Sequence, residues 1–258
     1  MSNYNYNSME LMICVAARYL EDGASVVVGT GAPCAAAMLA HKTISPNLLM
    51  LFEAGGIAPE LPTMPVSVGD SRTTWRALMA SSMTETMSLA ARGMVDYAFL
   101  GGAQIDMYGN LNSTMIGDDY LHPKVRLPGS GGACDLATNC WRMIMIAPHE
   151  KRRFVPRVDF VTSPGYLAGG NSRYEAGLPN GTGPYKIITN LAVLNFDNSE
   201  RRMQVESLHP AISLDQVKEN TGFELLVSKN IGKTNPPSEN ELKILRKDVD
   251  PHQYIIGR

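Results

Sequence analysis

The sequence predicts an α/β fold, an open and largely parallel sheet flanked by helices, in a single domain over residues 1–258. Three observations carry this reading. The chain up to Phe52 runs helix, strand, glycine turn, helix, strand. That order contains a strand–helix–strand unit, which implies parallel pairing. Apolar runs such as Leu48-Leu49-Met50-Leu51-Phe52 read as buried strands. A composition of 44% hydrophobic and 19% charged residues supports a substantial core.

Each element has its own signal. Asn7 and Glu10 have capping-box spacing. Leu11, Met12, Val15, Ala16 and Tyr19 then recur with helical period until Gly23. Ala24 to Val28 is rich in β-branched residues and reads as a strand. Gly29-Thr30-Gly31-Ala32-Pro33 is a tight turn, and the Ala-rich stretch Cys34 to His41 forms a helix. Asn47 to Phe52 is the second strand. Ser82 to Arg92 is a helix stopped by Gly93, and Val95 to Leu100 is a third strand ending in Gly101-Gly102-Ala103-Gln104-Ile105-Asp106. Val125 to Leu127 leads into Gly129-Ser130-Gly131-Gly132-Ala133, then a helix over Asp135 to Cys140 and an apolar strand over Trp141 to Ala147. Phe154 to Val161 and Lys186 to Phe196 read as later strands. Ser213 with Gln216, and Ser238 with Glu241, mark the caps of two late helices. The Gly-, Pro- and Asn-rich stretch Ser163 to Pro184 is too long for a bare connector and suggests a lid or a contact with another chain.

Several function classes drop out. The net charge is -2, and the one compact basic run, Lys151-Arg152-Arg153, reads by default as a solvated turn. No nucleic-acid surface is expected. The N-terminus lacks a secretory pattern, and no apolar run approaches the ~18 residues of a membrane span. Cys14, Cys34, Cys134 and Cys140 form no C-x-x-C pair and have no His at ligand spacing. They read as reduced, mostly buried thiols of a cytoplasmic protein without a structural metal.

The chemistry concentrates at Glu53. It ends the second strand and is followed by Ala54-Gly55-Gly56. A carboxylate at the C-terminal end of a parallel strand sits where open α/β sheets bind ligands. It can serve as base, nucleophile or ribose ligand. Gly29-x-Gly31 with Glu53 downstream mimics a dinucleotide fingerprint. Against that, Pro33 removes an N–H from the turn, and two further glycine turns follow strands. Gly101-Gly102-Ala103 and Gly131-Gly132-Ala133 can instead form an oxyanion hole or admit a bulky thiol cofactor arm.

These segments together resemble the family I CoA-transferases, in particular beta subunits of the glutaconate type. The resemblance is carried by Gly29-Thr30-Gly31-Ala32-Pro33, Phe52-Glu53-Ala54-Gly55, Gly101-Gly102-Ala103-Gln104-Ile105-Asp106 and Tyr108-Gly109-Asn110-Leu111-Asn112-Ser113-Thr114. It continues through Gly129-Ser130-Gly131-Gly132-Ala133, His149-Glu150-Lys151-Arg152-Arg153-Phe154, Val161-Thr162-Ser163-Pro164-Gly165 and Glu219-Asn220-Thr221-Gly222-Phe223.

The resemblance implies that Glu53 is a covalent nucleophile passing through a glutamyl-CoA thioester. It implies that Gly131, Gly132 and Ala133 lie beside the oxyanion, that Gln104 lies near the acyl group, and that Gly29, Thr30, Gly31, Ala32 and Pro33 contact CoA. Coenzyme A is then a substrate, with no bound cofactor and no metal. A separate alpha subunit completes the site, so the chain alone is inactive. Ala54 departs from the Ser or Asn usual after the glutamate. Relatives of this fold also hydrolyse or decarboxylate CoA thioesters, and a non-catalytic role for the chain is a further alternative. Retention of Glu53 favours transfer. Asp70 is expected to cap a turn, His122 to serve structure or a subunit contact, and Asp118-Asp119 to lack the further oxygen ligands a metal needs, while Lys151-Arg152-Arg153 has contact with CoA phosphates or the partner subunit as the alternative to a solvated turn.

Overall fold

A computed structural model describes residues 5–257. The chain divides into two compact units, Met1–Phe99 with Asn235–Arg258, and Leu100–Thr234.

In the first unit, α1 (Ser8–Ala17) begins at the expected capping box. Asn7 Oδ1 accepts the Glu10 N–H at 2.9 Å, and the Glu10 carboxylate accepts the Asn7 N–H at 2.9 Å. Residues Leu11 to Ala17 are all buried, so this helix is core on every side. β1 (Ser25–Val28), α2 (Ala32–Lys42) and β2 (Leu49–Phe52) form the expected strand–helix–strand unit, with β1 and β2 parallel from Ser25↔Leu49 to Val28↔Phe52. Two short strands, β3 (Gly56–Ile57) and β4 (Met79–Ala80), extend the β2 side antiparallel. α3 (Met83–Ala91) starts at Ser82, whose hydroxyl accepts the Glu85 N–H. β5 (Tyr97–Leu100) pairs parallel with the other side of β1. The C-terminal helix Glu239–Ile244 has the expected Ser238 cap and widens into a π turn over Leu245–Val249. It is tied to α1 by Arg18 on Glu241 at 2.7 Å and by Arg246 on the buried Glu10 at 2.6 Å.

The second unit contains β6 (Gln104–Asp106), β7 (Leu111–Asn112), β8 (Met115–Ile116), β9 (Val125–Arg126), α4 (Ala133–Asn139), β10 (Arg142–Ile146) and β11 (Phe154–Val155). It continues with α5 (Ser172–Glu175), β12 (Pro184–Ile188), β13 (Ala192–Asn195), β14 (Gln204–Leu208), α6 (Leu214–Glu219) and β15 (Leu226–Lys233). β10 pairs parallel with β12 and β14 with β15, while β12, β13 and β14 form an antiparallel meander. The α/β class with parallel strands under helices is as the sequence predicted.

Two strands differ from expectation. Lys186 to Phe196 is a hairpin, not one strand. Thr189 Oγ1 accepts the N–H groups of Leu191 and Ala192 at 3.1 and 3.0 Å and so reverses the chain. The strand over Phe154 to Val161 stops at Val155, because Pro156 has no N–H to donate.

The stretch Ser163 to Pro184 is organised around Arg173, which is only 4% exposed. Its guanidinium donates to the carbonyls of Ala137, Thr138, Pro164 and Gly165 and to the Thr182 hydroxyl. Ala137 and Thr138 lie in the last turn of α4, where a cation meets the negative end of the helix dipole. Arg173→Met is expected to lower the unfolding free energy by about 3 kcal/mol, because buried carbonyls lose their donors. Urea unfolding reads this directly, and a loss below about 1 kcal/mol would show that the clamp is dispensable.

His149 gives the unit an acid sensitivity. It is 2% exposed, stacked on Phe154 at 4.2 Å, with its ring nitrogens 3.1 and 3.0 Å from the hydroxyls of Thr189 and Thr221. Burial lowers its pKa from 6.5 to about 4, and burial also lowers that of His209. Below 6.5 the unfolded chain takes up a proton that the folded chain refuses until about 4. Stability is therefore complete above that window and falls as the pH drops through it. The His149 contribution to the loss is on the order of 2–3 kcal/mol. A urea series across the window checks this. Equal midpoints at its two ends would contradict it.

Candidate active site

Glu53 leaves β2 at its C-terminal end. The Val28↔Phe52 register makes Gly29 and Glu53 neighbours at the same end of two parallel strands. The Gly55 N–H donates to the Phe52 carbonyl at 2.9 Å and closes the turn that carries Glu53. Gly55 has φ +112°, and a Cβ there would overlap the Ser81 carbonyl. A Cβ on Gly56 would overlap the Thr73 carbonyl oxygen. Both glycines are thus required by close backbone approach. Thr86 Oγ1 donates to the Phe52 carbonyl at 3.4 Å and links α3 to the same turn.

Glu53 is half-buried and Ala54 is exposed. Among the described residues, none hydrogen-bonds or ion-pairs with the Glu53 carboxylate. The group is fixed by its backbone and left open for a reactant.

Gly31, with φ +83°, is the N-cap of α2. Ala32 and Pro33 therefore belong to the helix and not to the turn. Pro33 lies in the first helical turn, where the missing N–H has no helical acceptor to lose. Gly29, Thr30 and Gly31 are half-buried, and a Cβ on Gly29 would meet no atom within 4 Å.

Asp70 caps a short turn, as its setting predicted. It accepts the Arg72 N–H at 2.9 Å and pairs with the Arg72 guanidinium at 2.6 Å, which holds its carboxyl well below the usual range. Arg72 also donates to the Met64 carbonyl at 2.7 Å. This clamp fixes the loop whose Thr73 carbonyl abuts Gly56.

In the second unit, the Gly101-Gly102 turn is held by Arg153, whose Nη1 donates to the Gly102 carbonyl. The Ala103 N–H donates to the Asn112 carbonyl at 2.7 Å. Gln104 is 7% exposed, and its Oε1 accepts from Asn112 Nδ2 at 2.7 Å and from the Asp159 N–H at 3.0 Å. The Asp106 carboxylate is buried and bonded by Asn110 and by the Tyr108 N–H, a structural knot. Gly131 has φ +50°, and Gly132 opens α4. The Ala133 N–H already donates to the Ser130 carbonyl at 2.9 Å. This narrows the donor expectation: among the described residues, the N–H groups of Gly131 and Gly132 have no internal acceptor, and that of Ala133 has one.

His122 is exposed and bonded to Asp119 at 2.9 Å. Cys14, Cys34 and Cys140 are buried and in no disulfide, and burial pushes Cys14 and Cys34 up to about 12. No group of His, Cys, Asp or Glu among the described residues is arranged to hold a metal ion. No helix among them is long and apolar enough to cross a membrane. Sequence reasoning misses the roles of Asn112 and Thr86, and it weighs the run holding Arg153 for contact with CoA phosphates or a partner but takes a solvated turn as the default. Arg153 sits in a basic run that looked solvated, and only its bond to Gly102 sets it apart.

Residues 9–220 match the coenzyme A transferase family. The chain belongs to that family. It is 39% identical to the beta subunit of glutaconate CoA-transferase from Acidaminococcus fermentans, over 99% of this chain and 97% of the relative. It is also 39% identical to the beta subunit of 3-oxoadipate CoA-transferase from Pseudomonas knackmussii, over 93% of this chain and 92% of the relative. The crystal structure of glutaconate coenzyme A-transferase from Acidaminococcus fermentans superposes with a TM-score of 0.93 at 37% identity, covering 98% of each chain. The expectation of a CoA-transferase chain with this α/β fold is met.

Proposed function

We propose that this CoA-transferase chain is the beta subunit of a heteromeric, cytoplasmic enzyme. In this reading, residues 1–258 act as one functional domain. The enzyme moves CoA between an acyl-CoA and a dicarboxylic acid of the glutaconate or 3-oxoadipate kind. The observation that carries the reading is the open Glu53 carboxylate at the end of β2, level with Gly29. The names of the two 39%-identical relatives support the substrate class and the beta-subunit role.

Transfer proceeds in balanced steps. The Glu53 carboxylate attacks the thioester carbonyl, the C–S bond breaks, and CoA thiolate leaves a mixed anhydride. The thiolate then attacks the glutamyl carbonyl, the anhydride C–O bond breaks, and the product acid departs as carboxylate. Glu53 now carries CoA as a thioester. A second acid reverses the sequence and regenerates the carboxylate. Splitting one acyl exchange in this way compensates for a weak nucleophile. The N–H groups of Gly131 and Gly132 would stabilise the tetrahedral oxyanion, with Gln104 near the acyl group. Gly29 to Pro33 would line the path of CoA, where the open space at Gly29 admits a ligand chain.

An alpha subunit is part of this proposal. Trp75, Leu78, Met79 and Met83 are exposed around β4, which reaches the Glu53 turn through the β3 pairing. Exposed apolar patches of this kind mark partner surfaces, and a cover there would keep water from a reactive thioester. The test is steady-state CoA transfer from acetyl-CoA to a panel of mono- and dicarboxylic acids by the chain co-purified with its alpha subunit. Parallel double-reciprocal lines with a dicarboxylate acceptor, and no turnover by this chain alone, are expected. Intersecting lines, or full turnover without a partner, would contradict the reading.

A further inference from the structure

A cavity of about 330 Å³ in the second unit is lined by Ala103, Gln104, Ile116, Arg152 and Arg153. No carboxylate stands in its wall. Two cations and one amide do, and each has an unusual bonding state.

The Asp159 N–H can only donate, so the Gln104 atom that meets it must be the amide oxygen. Asn112 Nδ2 bonds that same oxygen. The acceptor end of Gln104 is therefore fully used inside the protein, and its NH₂ is the end left over. Arg153 has Nη1 on the Gly102 carbonyl and its Nε covered by protein, so Nη2 is the guanidinium nitrogen left to donate into the cavity. Among the described residues, no carboxylate lies within ion-pair distance of Arg153, although its charge helps to lower the pKa of the Glu150 carboxyl. Arg152 binds Glu150 through Nε at 2.7 Å, and its side chain is otherwise 82% exposed. Glu150 is not part of the cavity wall. The cavity wall thus carries two guanidinium groups and an amide NH₂, and no carboxylate. An oxyanion in this cavity would take charge-assisted bonds from the Arg153 Nη2 and the Arg152 guanidinium.

We propose that this cavity is an oxyanion site, formed by Arg152, Arg153 and Gln104, that takes a carboxylate or phosphate group of a bound reactant. Two sources share that chemistry. One is a carboxylate of the acid substrate, and the other is a phosphate of CoA. The choice between them rests on the transfer reading above; the existence of the site does not.

Binding is measured without turnover, so failure of this site and failure of the transfer reading are separable. The complex of this chain with its alpha subunit is titrated calorimetrically with glutarate, inorganic phosphate and adenosine 3′,5′-bisphosphate. Two variants are compared with the wild type. Gln104→Glu keeps an oxygen for Asn112 and the Asp159 N–H but places a negative charge in the cavity. Arg152→Gln alters an exposed side chain, so folding is not at issue. Each is expected to weaken at least one probe by about tenfold or more. Weakened glutarate binding assigns the site to the acid substrate. Weakened bisphosphate binding assigns it to CoA. If no probe binds the wild type, or if both variants bind every probe as the wild type does, the proposal is wrong.

Discussion

Glu53→Gln is expected to lower CoA transfer by the assembled complex at least about a thousandfold while leaving stability within about 0.5 kcal/mol. The two halves of this prediction have separate causes. An amide cannot attack a thioester to form an anhydride, so the covalent route closes. The wild-type carboxylate has no hydrogen-bond or ion-pair partner among the described residues, so its replacement breaks nothing inside the fold. Transfer assays and urea unfolding on the same preparation read both halves. Unchanged transfer would make this chain a silent partner that completes another chain's site. Retained hydrolysis of the acyl-CoA with lost transfer would leave water as the acceptor on a modified site.

Gly56→Ala is expected to have the largest effect on stability, about 3 kcal/mol or more. Its Cβ would overlap the Thr73 carbonyl oxygen, a backbone atom that cannot rotate away. The loop bearing Thr73 is held by Asp70 and Arg72, with Arg72 bonded to the Met64 carbonyl. Relief of the overlap therefore requires either the loop or the Glu53 turn to move. Transfer activity falls in both cases. Gly29→Ala is the control on the neighbouring strand end: no atom lies within 4 Å of its Cβ, and its stability should stay within about 0.5 kcal/mol of wild type. Equal melting behaviour of the two variants would refute the steric account.

The parts legible in the sequence were those governed by local chemistry. The four side-chain caps at Asn7, Ser82, Ser213 and Ser238 are all formed. Three of them were visible as spacing, and Ser82 as a helix start. The apolar runs at Ala24–Val28 and Leu48–Phe52 became β1 and β2, and the intervening Ala-rich helix made them parallel. Glu53 was legible for the same reason, since a charge at the end of a buried run must emerge at a strand end.

The rest depended on tertiary bonds. β14 and β15 are half-exposed and polar, so their sequences carry no apolar run. The Thr189 turn that splits Lys186 to Phe196 is a single side chain reversing the backbone. The unused N–H groups of Gly131 and Gly132 could be told from the used one of Ala133 only by locating Ser130. Arg153 was hidden in Lys151-Arg152-Arg153, where its neighbours are solvated as a charge run should be.

The central claim is that the Glu53 carboxyl becomes a thioester of CoA. It is tested most directly by intact mass of this chain, co-purified with its alpha subunit, after incubation with an acyl-CoA and then borohydride. Borohydride reduces a glutamyl thioester to the alcohol. The account predicts a loss of about 14 Da, located by peptide mapping at Glu53 and dependent on the acyl-CoA. An unmodified Glu53 in a complex that transfers CoA at full rate would contradict it.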